Sequence, residues 1–487
     1  MPTRRAFIRR AGLAAAGVAL LPSHLFAGAP VRIRGRVVDE RGRGVGGVAI
    51  SDGLQVIATE QNGRYELIST NRRSFVFMTV PAGFELPTNE AGSALFYLPI
   101  RPDEDGEMDD ADFELTSLEE VDIRHSFLAL ADPQMQNAFE MERFLSTTVP
   151  DLAETVQASA APVAFGVSCG DIMFDDLTLY PDYIAGVAQT GVPFYQVVGN
   201  HDLNFEGVTD ETSTRTFQEF FGPTYYSFER GAIHYIVLDN VFWTNDGYLG
   251  YLDDVQLTWL EADLARVAPG RTVVVLQHIP TLSSQYRRRG ESGPSMRGSV
   301  ANRARFYELL SPYTAHVISG HTHENEHVFE GGVHEHILGA VCGPWWAGPI
   351  CHDGTPAGYA VYEARGSELR WRYKATGQPD DLRLRTYARG TDPTAPTEII
   401  ANVWDWDPAW TVIWYEDGQR RGEMARRTGL DPLSIEQHTG PNLPERRTWV
   451  EPMPNDHMFY APVGEVHGSL RVEVIDRWGR TFTEQVG

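Results

Sequence analysis

Five apolar runs set the frame of this chain: Phe127-Leu128-Ala129-Leu130-Ala131, Val163-Ala164-Phe165-Gly166-Val167, Phe194-Tyr195-Gln196-Val197-Val198, Thr272-Val273-Val274-Val275-Leu276 and Ala315-His316-Val317-Ile318-Ser319. Their hydrophobicity is continuous instead of alternating, which fits central strands covered on both faces. Helical patterns lie between them. Asp253 to Val267 sets Val255, Leu257, Trp259, Leu260 and Leu264 on one side, Ala301 to Leu310 is a second, and Thr216 to Phe221 a third, stopped by Gly222-Pro223. Alternation of strand and helix over residues 121–374 predicts an α/β domain.

The flanks read differently. Residues 30–120 are short-period and turn-rich: Val31-Arg32-Ile33-Arg34-Gly35-Arg36-Val37-Val38 alternates, and Asn62-Gly63 between β-prone runs is a strong hairpin signal. This stretch reads as a small β-sandwich, with the acidic patch Asp103 to Asp112 as the linker after it. Residues 375–487 turn β-rich again, with strands expected at Thr397 to Trp404 and Ser469 to Ile475, and a second sandwich follows.

Composition narrows the partners. The chain has 487 residues and a formal charge of -25, so a nucleic-acid partner, which needs Lys and Arg patches, is excluded. No internal stretch is long enough for an integral membrane span. At the N-terminus, Thr3-Arg4-Arg5-Ala6-Phe7-Ile8-Arg9, the apolar run Ala11 to Leu21 and the small residues Ala27-Gly28-Ala29 form a secretory signal over residues 1–29. Its paired arginines point to the bacterial twin-arginine (Tat) export machinery and hence to a periplasmic or secreted protein. The cysteines Cys169, Cys342 and Cys351 are too few for a disulfide framework or a thiolate zinc site, and spacing leaves open whether Cys342 and Cys351 pair.

Each apolar run ends in polar chemistry: Asp132-Pro133-Gln134, Gly170-Asp171, Gly199-Asn200-His201-Asp202, Gln277-His278 and Gly320-His321-Thr322-His323. Open α/β sheets build ligand sites where strands stop. Imidazole, carboxylate and carboxamide together suit manganese, iron or zinc better than calcium or magnesium. The other histidines, including His125, His234, His316, His327, His334, His336 and His352, read as packing or surface residues.

This ordered set resembles the calcineurin-like metallophosphoesterase superfamily, and the flanks resemble a secreted bacterial subgroup. In that subgroup the N-terminal part is similar to a transthyretin-like or carboxypeptidase-regulatory domain, and a C-terminal β domain follows. The tract Phe220-Phe221-Gly222-Pro223-Thr224-Tyr225-Tyr226-Ser227-Phe228 fits it as well. The resemblance implies a central β-sandwich flanked by helices, between two all-β sandwich domains. It implies two divalent metal ions, the first held by Asp132, Gln134, Asp171 and His323, the second by Asp171, Asn200, His278 and His321. It further implies hydrolysis of a phosphate mono- or diester by a metal-bridging hydroxide, with His201 protonating the leaving oxygen and Asp202 fixing the His201 ring.

Two positions depart from the pattern. The first motif usually ends in His, where this chain has Gln134, which either ligates through its carboxamide oxygen or bonds to a metal-bound water. Phe174 stands where purple acid phosphatases carry an iron-binding tyrosine, which argues against that branch. Substrate contacts stay open. Arg287-Arg288-Arg289 either steer a phosphate or form a solvated face, and Trp345-Trp346 either stack on substrate or plug a domain interface. A rival from a different class is a periplasmic binding protein with a degenerate metal site. Gln134 favours it, and His201 and Asp202, which are not ligands, argue against it.

Overall fold

The computed structural model describes residues 28–120, 122–441 and 443–487. The export signal expected within residues 1–29 falls almost wholly on 1–27, outside the described residues. The chain divides into two compact units, one of residues up to Met78 together with Tyr97–Leu115, the other of Thr79–Phe96 together with Thr116–Gly487.

In the first unit, Pro30–Asp39 pairs antiparallel with Arg64–Thr70 and parallel with Glu107–Met108 and Phe113–Leu115. Ala49–Ser51, Val56–Ala58, Phe75–Met78 and Tyr97–Pro99 make a second sheet. The alternating pattern buries Val31, Ile33, Val37, Tyr65 and Leu67. Asn62-Gly63 forms its turn, with Gly63 at φ 81°. It does not close a hairpin: the strands before and after it, Val56–Ala58 and Arg64–Thr70, belong to different sheets. The expected first domain is also interrupted, because Thr79–Phe96 packs with the second unit. There Val80 bridges to Phe228, and the Phe96 ring lies 4.2 Å from that of Tyr226.

The second unit carries the α/β fold. One sheet runs β3-β2-β1-β10-β11, made of β1 (Arg124–Leu130), β2 (Val163–Cys169), β3 (Phe194–Val197), β10 (Gly358–Arg365) and β11 (Glu368–Ala375). The other runs β4-β5-β6-β7-β9-β8, made of β4 (Tyr226–Arg230), β5 (Ile233–Val237), β6 (Thr272–Leu276), β7 (Thr314–Ser319), β8 (Glu326–Glu330) and β9 (Val333–Ile337). The apolar runs are buried as their continuous hydrophobicity requires. Between the sheets Phe127 stacks at 4.9 Å on Phe165 and 4.7 Å on Tyr362, and meets Tyr235 of the other sheet edge-on at 5.5 Å. Helices cover the outer faces, among them Asp254–Leu264, which buries Trp259, Leu260 and Leu264. Parallel pairing of β1, β2 and β3, and of β5, β6 and β7, brings their C-terminal ends to one edge of the fold.

The C-terminal part is a sandwich of two antiparallel four-stranded sheets. Ile399, Ala401, Val403, Val412, Phe459, Val472 and Val474 fill it. The α/β centre flanked by β-sandwiches thus matches the expected fold class.

Candidate metal centre

At the C-terminal strand ends the backbone turns sharply. Asp132, Gln134, Asp171, His321 and His323 all lie at positive φ, between 43° and 71°, a conformation costly for residues with a side chain and concentrated at functional sites. The turns are held by the same carboxylates they present. Asp132 accepts the His321 N–H at 2.9 Å, and Asp171 accepts the His201 N–H at 2.8 Å. Two glycines permit the close approach. A Cβ on Gly199 would sit 1.9 Å from the Asp171 nitrogen, and one on Gly320 would sit 2.5 Å from an Asp132 carboxylate oxygen.

The side chains converge. Nε2 of His278 lies 3.1 Å from Asn200 Oδ1, 3.3 Å from Asp171 Oδ1 and 3.1 Å from His321 Nδ1. Gln134 donates from Nε2 to Asp171 Oδ2 at 2.6 Å, and His323 Nε2 lies 3.5 Å from Asp132 Oδ1. The structure therefore brings together all seven expected ligands, from five strand ends.

Three observations favour cations here. His278 Nδ1 faces the Cys169 carbonyl at 2.9 Å and His321 Nε2 faces the Arg297 carbonyl at 2.9 Å, so both of those nitrogens must donate. In neutral rings that leaves two lone pairs facing each other at 3.1 Å, which only a proton or a metal ion between them reconciles. The carboxamide oxygen of Gln134 is buried without a hydrogen-bond partner. His323 is tethered alike, its Nδ1 donating to the Gly343 carbonyl at 3.2 Å, which turns Nε2 inward.

The electrostatics agree. Burial pushes His321 and His323 down to about 3, so both are neutral donors at ordinary pH. Burial alone would lower His278, but Asp171 overcomes the desolvation and lifts it to about 9. Burial acts the other way on a carboxylate and would raise Asp171, but His278 and His201 hold it below the usual carboxylate range, whereas burial pushes Asp132 up to about 8. A proton between His278 and His321 is thus the competitor of a metal ion.

His201 projects at the rim, its ring stacked at 4.2 Å on Phe174. Its Nδ1 lies 2.7 Å from Asp175 Oδ1. This corrects the role expected of Asp202. That carboxylate is fully buried and accepts the N–H groups of Ile172, Met173 and Gly199 and the Tyr180 hydroxyl, so it braces the loops instead of the ring. Asp175, at φ 70°, escaped the sequence reading because its only signal is a carboxylate four residues after Asp171 in an irregular loop.

The expected substrate contacts are also redistributed. Arg288 is enclosed among Glu324, Glu326 and Asp456, so it pairs with carboxylates. Arg287 bonds to Ser284, and Arg289 donates to the Met453 sulfur at 3.4 Å. Trp346 is buried and donates to the Pro133 carbonyl at 2.9 Å, anchoring the Asp132–Gln134 turn. Trp345 stacks at 4.1 Å on His323 and meets exposed Trp449 at 4.5 Å. Arg447 reaches the other side of the rim, 4.8 Å above the Phe174 ring and 2.8 Å from Gln136 Oε1. Arg447 and Trp449 come from a C-terminal loop that carries no motif, so sequence reading had no means of finding them. Cys342 and Cys351 are free buried thiols.

Residues 125–325 match the family profile of calcineurin-like phosphoesterase, and residues 31–118 and 335–482 match those of the N-terminal and C-terminal parts of calcineurin-like phosphoesterase. The chain belongs to the calcineurin-like phosphoesterases. A human relative named serine/threonine-protein phosphatase CPPED1 is 32% identical over 94 residues, 18% of this chain. The match spans 28% of that relative's length. Among solved structures, a dimetal phosphatase from Danio rerio aligns over 53% of this chain and 98% of its own, at 15% identity and a TM-score of 0.38. A purple acid phosphatase from yellow lupin aligns over 71% of this chain and 67% of its own, at 12% identity and a TM-score of 0.37. Among the described residues no helix is long and apolar enough to cross a membrane.

Proposed function

We propose that this calcineurin-like phosphoesterase hydrolyses a phosphate mono- or diester with two divalent metal ions, of the manganese, iron or zinc class. The lone pairs of His278 and His321 that face each other beside Asp171 carry the reading. One ion would be held by Asp132, Gln134, Asp171 and His323, the other by Asp171, Asn200, His278 and His321. Bound there, two dications supply Lewis acidity, lowering the pKa of water and neutralising charge on a phosphoryl group.

The chain's own residues do the rest. Asp171 lies between the two donor sets and serves both. Asp175 accepts from His201 Nδ1–H. Burial alone would lower the His201 pKa, but Asp171 and Asp175 together raise it, so the imidazolium is favoured and its partly exposed ring presents the Nε2 proton to a leaving oxygen at the rim. Phe174 supports the ring face and limits its rotation. The loop bearing Arg447 and Trp449 borders the same rim, giving a cationic and an aromatic contact for the group esterified to phosphate. In the cell we place this reaction outside the cytoplasm, on the twin-arginine sequence, and signal-dependent export of a reporter fusion tests that separately.

The test of function is hydrolysis of para-nitrophenyl phosphate and bis-para-nitrophenyl phosphate by protein loaded with manganese, iron or zinc. Turnover of at least one ester, abolished by a chelator and by Asp171→Asn, is expected. No turnover of either ester under any of the metals overturns the proposal.

A further inference from the structure

Four histidines assigned to packing from sequence meet on one face of one sheet, away from the strand-end centre. His316 of β7 is in register with His334 of β9, and His327 of β8 with His336 of β9, so all four side chains share a face. They fill the sandwich interior at its β8–β9 edge, where Trp371 packs edge-on at 4.5 Å against His336. Phe and Tyr do this elsewhere between the sheets, so four imidazoles are a costly choice of filling.

Their hydrogen bonding is incomplete. His316 Nδ1 lies 3.0 Å from His336 Nε2, and His327 Nδ1 lies 3.0 Å from His334 Nε2. His336 is fully buried, and its Nδ1 has no partner. His327 Nε2 lies 3.0 Å from Asp405 Oδ1 of the C-terminal sandwich, so it donates there and turns a lone pair toward the cluster. A carboxylate behind an imidazole is the arrangement that orients metal-ligating histidines. Nitrogens of His316, His334 and His336 all lie within 4.8 Å of one another.

We propose that His316, His334 and His336, with His327 at the entrance, form a second, structural site for a transition dication of the zinc class. Neutral imidazoles select zinc, cobalt or nickel over magnesium and calcium. The rings supply lone pairs at ordinary pH: burial holds His316 at about 4 and pushes His334 and His336 down as well. Arg477, whose charge disfavours protonation of these rings, lies 4.8 Å over Trp371 and is paired with Asp407 at 2.8 and 3.0 Å. A cavity of about 600 Å³ lined by His327, Asn325, Trp406 and His457 gives an ion its path. Through His327 and Asp405 the ion would couple the central sheet to the C-terminal sandwich, a role independent of phosphoester hydrolysis.

The test uses full-length protein carrying Asp171→Asn and His278→Ala, which empties the strand-end centre. Metal-stripped protein is titrated with zinc and, separately, with cobalt. Close to one zinc per chain, tetrahedral cobalt ligand-field bands, and loss of both on adding His334→Gln and His336→Gln are expected. Zinc-edge X-ray absorption on the first variant should count three or more imidazoles, and this holds even if the four-fold variant fails to fold. No zinc uptake by the first variant, or a bound zinc with fewer imidazoles, overturns the proposal. Since the phosphoesterase assay is run on wild type, failure there leaves this result standing.

Discussion

Nδ1 of His201 lies 2.7 Å from Asp175 Oδ1, while Asp202, its neighbour in sequence, has its carboxylate filled by three backbone N–H groups and the Tyr180 hydroxyl. The two carboxylates therefore fail differently when neutralised. Asp175→Asn removes the partner that keeps the outer nitrogen of His201 protonated, and kcat should fall roughly 10- to 100-fold with KM and melting temperature little changed. Asp202→Asn leaves buried donors short of an acceptor and should cost about 1–3 kcal/mol of stability. Steady-state kinetics and denaturant melts of both variants check this. Equal loss of stability in the two would refute the division of roles.

Gln134 donates to Asp171 through Nε2 and leaves Oε1 buried without a partner, the posture of a ligand awaiting a cation. Gln134→Ala should weaken one of two metal sites by roughly 10- to 100-fold and leave the other near its original affinity. Gln134→His, which puts the stronger imidazole donor there, should tighten it. Titration of apo-protein with manganese followed by calorimetry separates the two sites. If Gln134→Ala titrates like wild type, the carboxamide oxygen is not a ligand.

The ligand set was legible in sequence because each member follows directly on an apolar strand, and parallel pairing carries strand ends to one edge whatever happens between them. Asp175 lies on an irregular loop, and no periodicity marks which way such a side chain points. The error at Asp202 has the same origin, since adjacency to His201 in sequence says nothing of direction across a tight turn. Arg447 and Trp449 reach the rim from a different sandwich by tertiary packing alone. Each of the four clustered histidines looked ordinary within its own strand, because only the register of β7, β8 and β9 puts them on one face. Asn62-Gly63 shows the converse: the turn is local and was legible, while the strands it joins are partnered by the sandwich.

His234 offers a pH test remote from the metal centre. Its Nε2 lies 2.7 Å from Asp263 and its Nδ1 2.9 Å from Glu229, so both nitrogens face carboxylates. Burial alone would lower this histidine, but Asp263 and Glu229 overcome it and raise it to about 9, from an ordinary 6.5. A group protonated more tightly in the folded state stabilises fully below its unfolded pKa, and that stability is lost as pH rises through the folded value. Wild type should lose roughly 1–3 kcal/mol between about pH 6.5 and 9 from this group. His234→Gln should be less stable than wild type at pH 6 and close to it at pH 9. Urea melts across that range measure the gap, and a gap that widens with pH would refute the assignment.

Arg447 is the side chain best placed to read a substrate. Its guanidinium lies 4.8 Å above Phe174, the ring on which His201 stacks, and its Nη2 bonds to Gln136 Oε1 at 2.8 Å. Nη2 also lies 3.4 Å from the buried Glu140 Oε1, so an anionic oxygen arriving at the rim would meet a guanidinium already held in place. A charged hydrogen bond of this kind contributes about 1.5–3 kcal/mol. Arg447→Ala should therefore raise KM by roughly 10- to 100-fold while kcat changes much less, because His201, Asp175 and the ligands are untouched. Arg447→Lys keeps the charge and loses the planar fork, so it should recover part of the KM alone. Kinetics with both aryl esters decide the matter. A drop in kcat at constant KM would instead make Arg447 a support for Phe174 and His201.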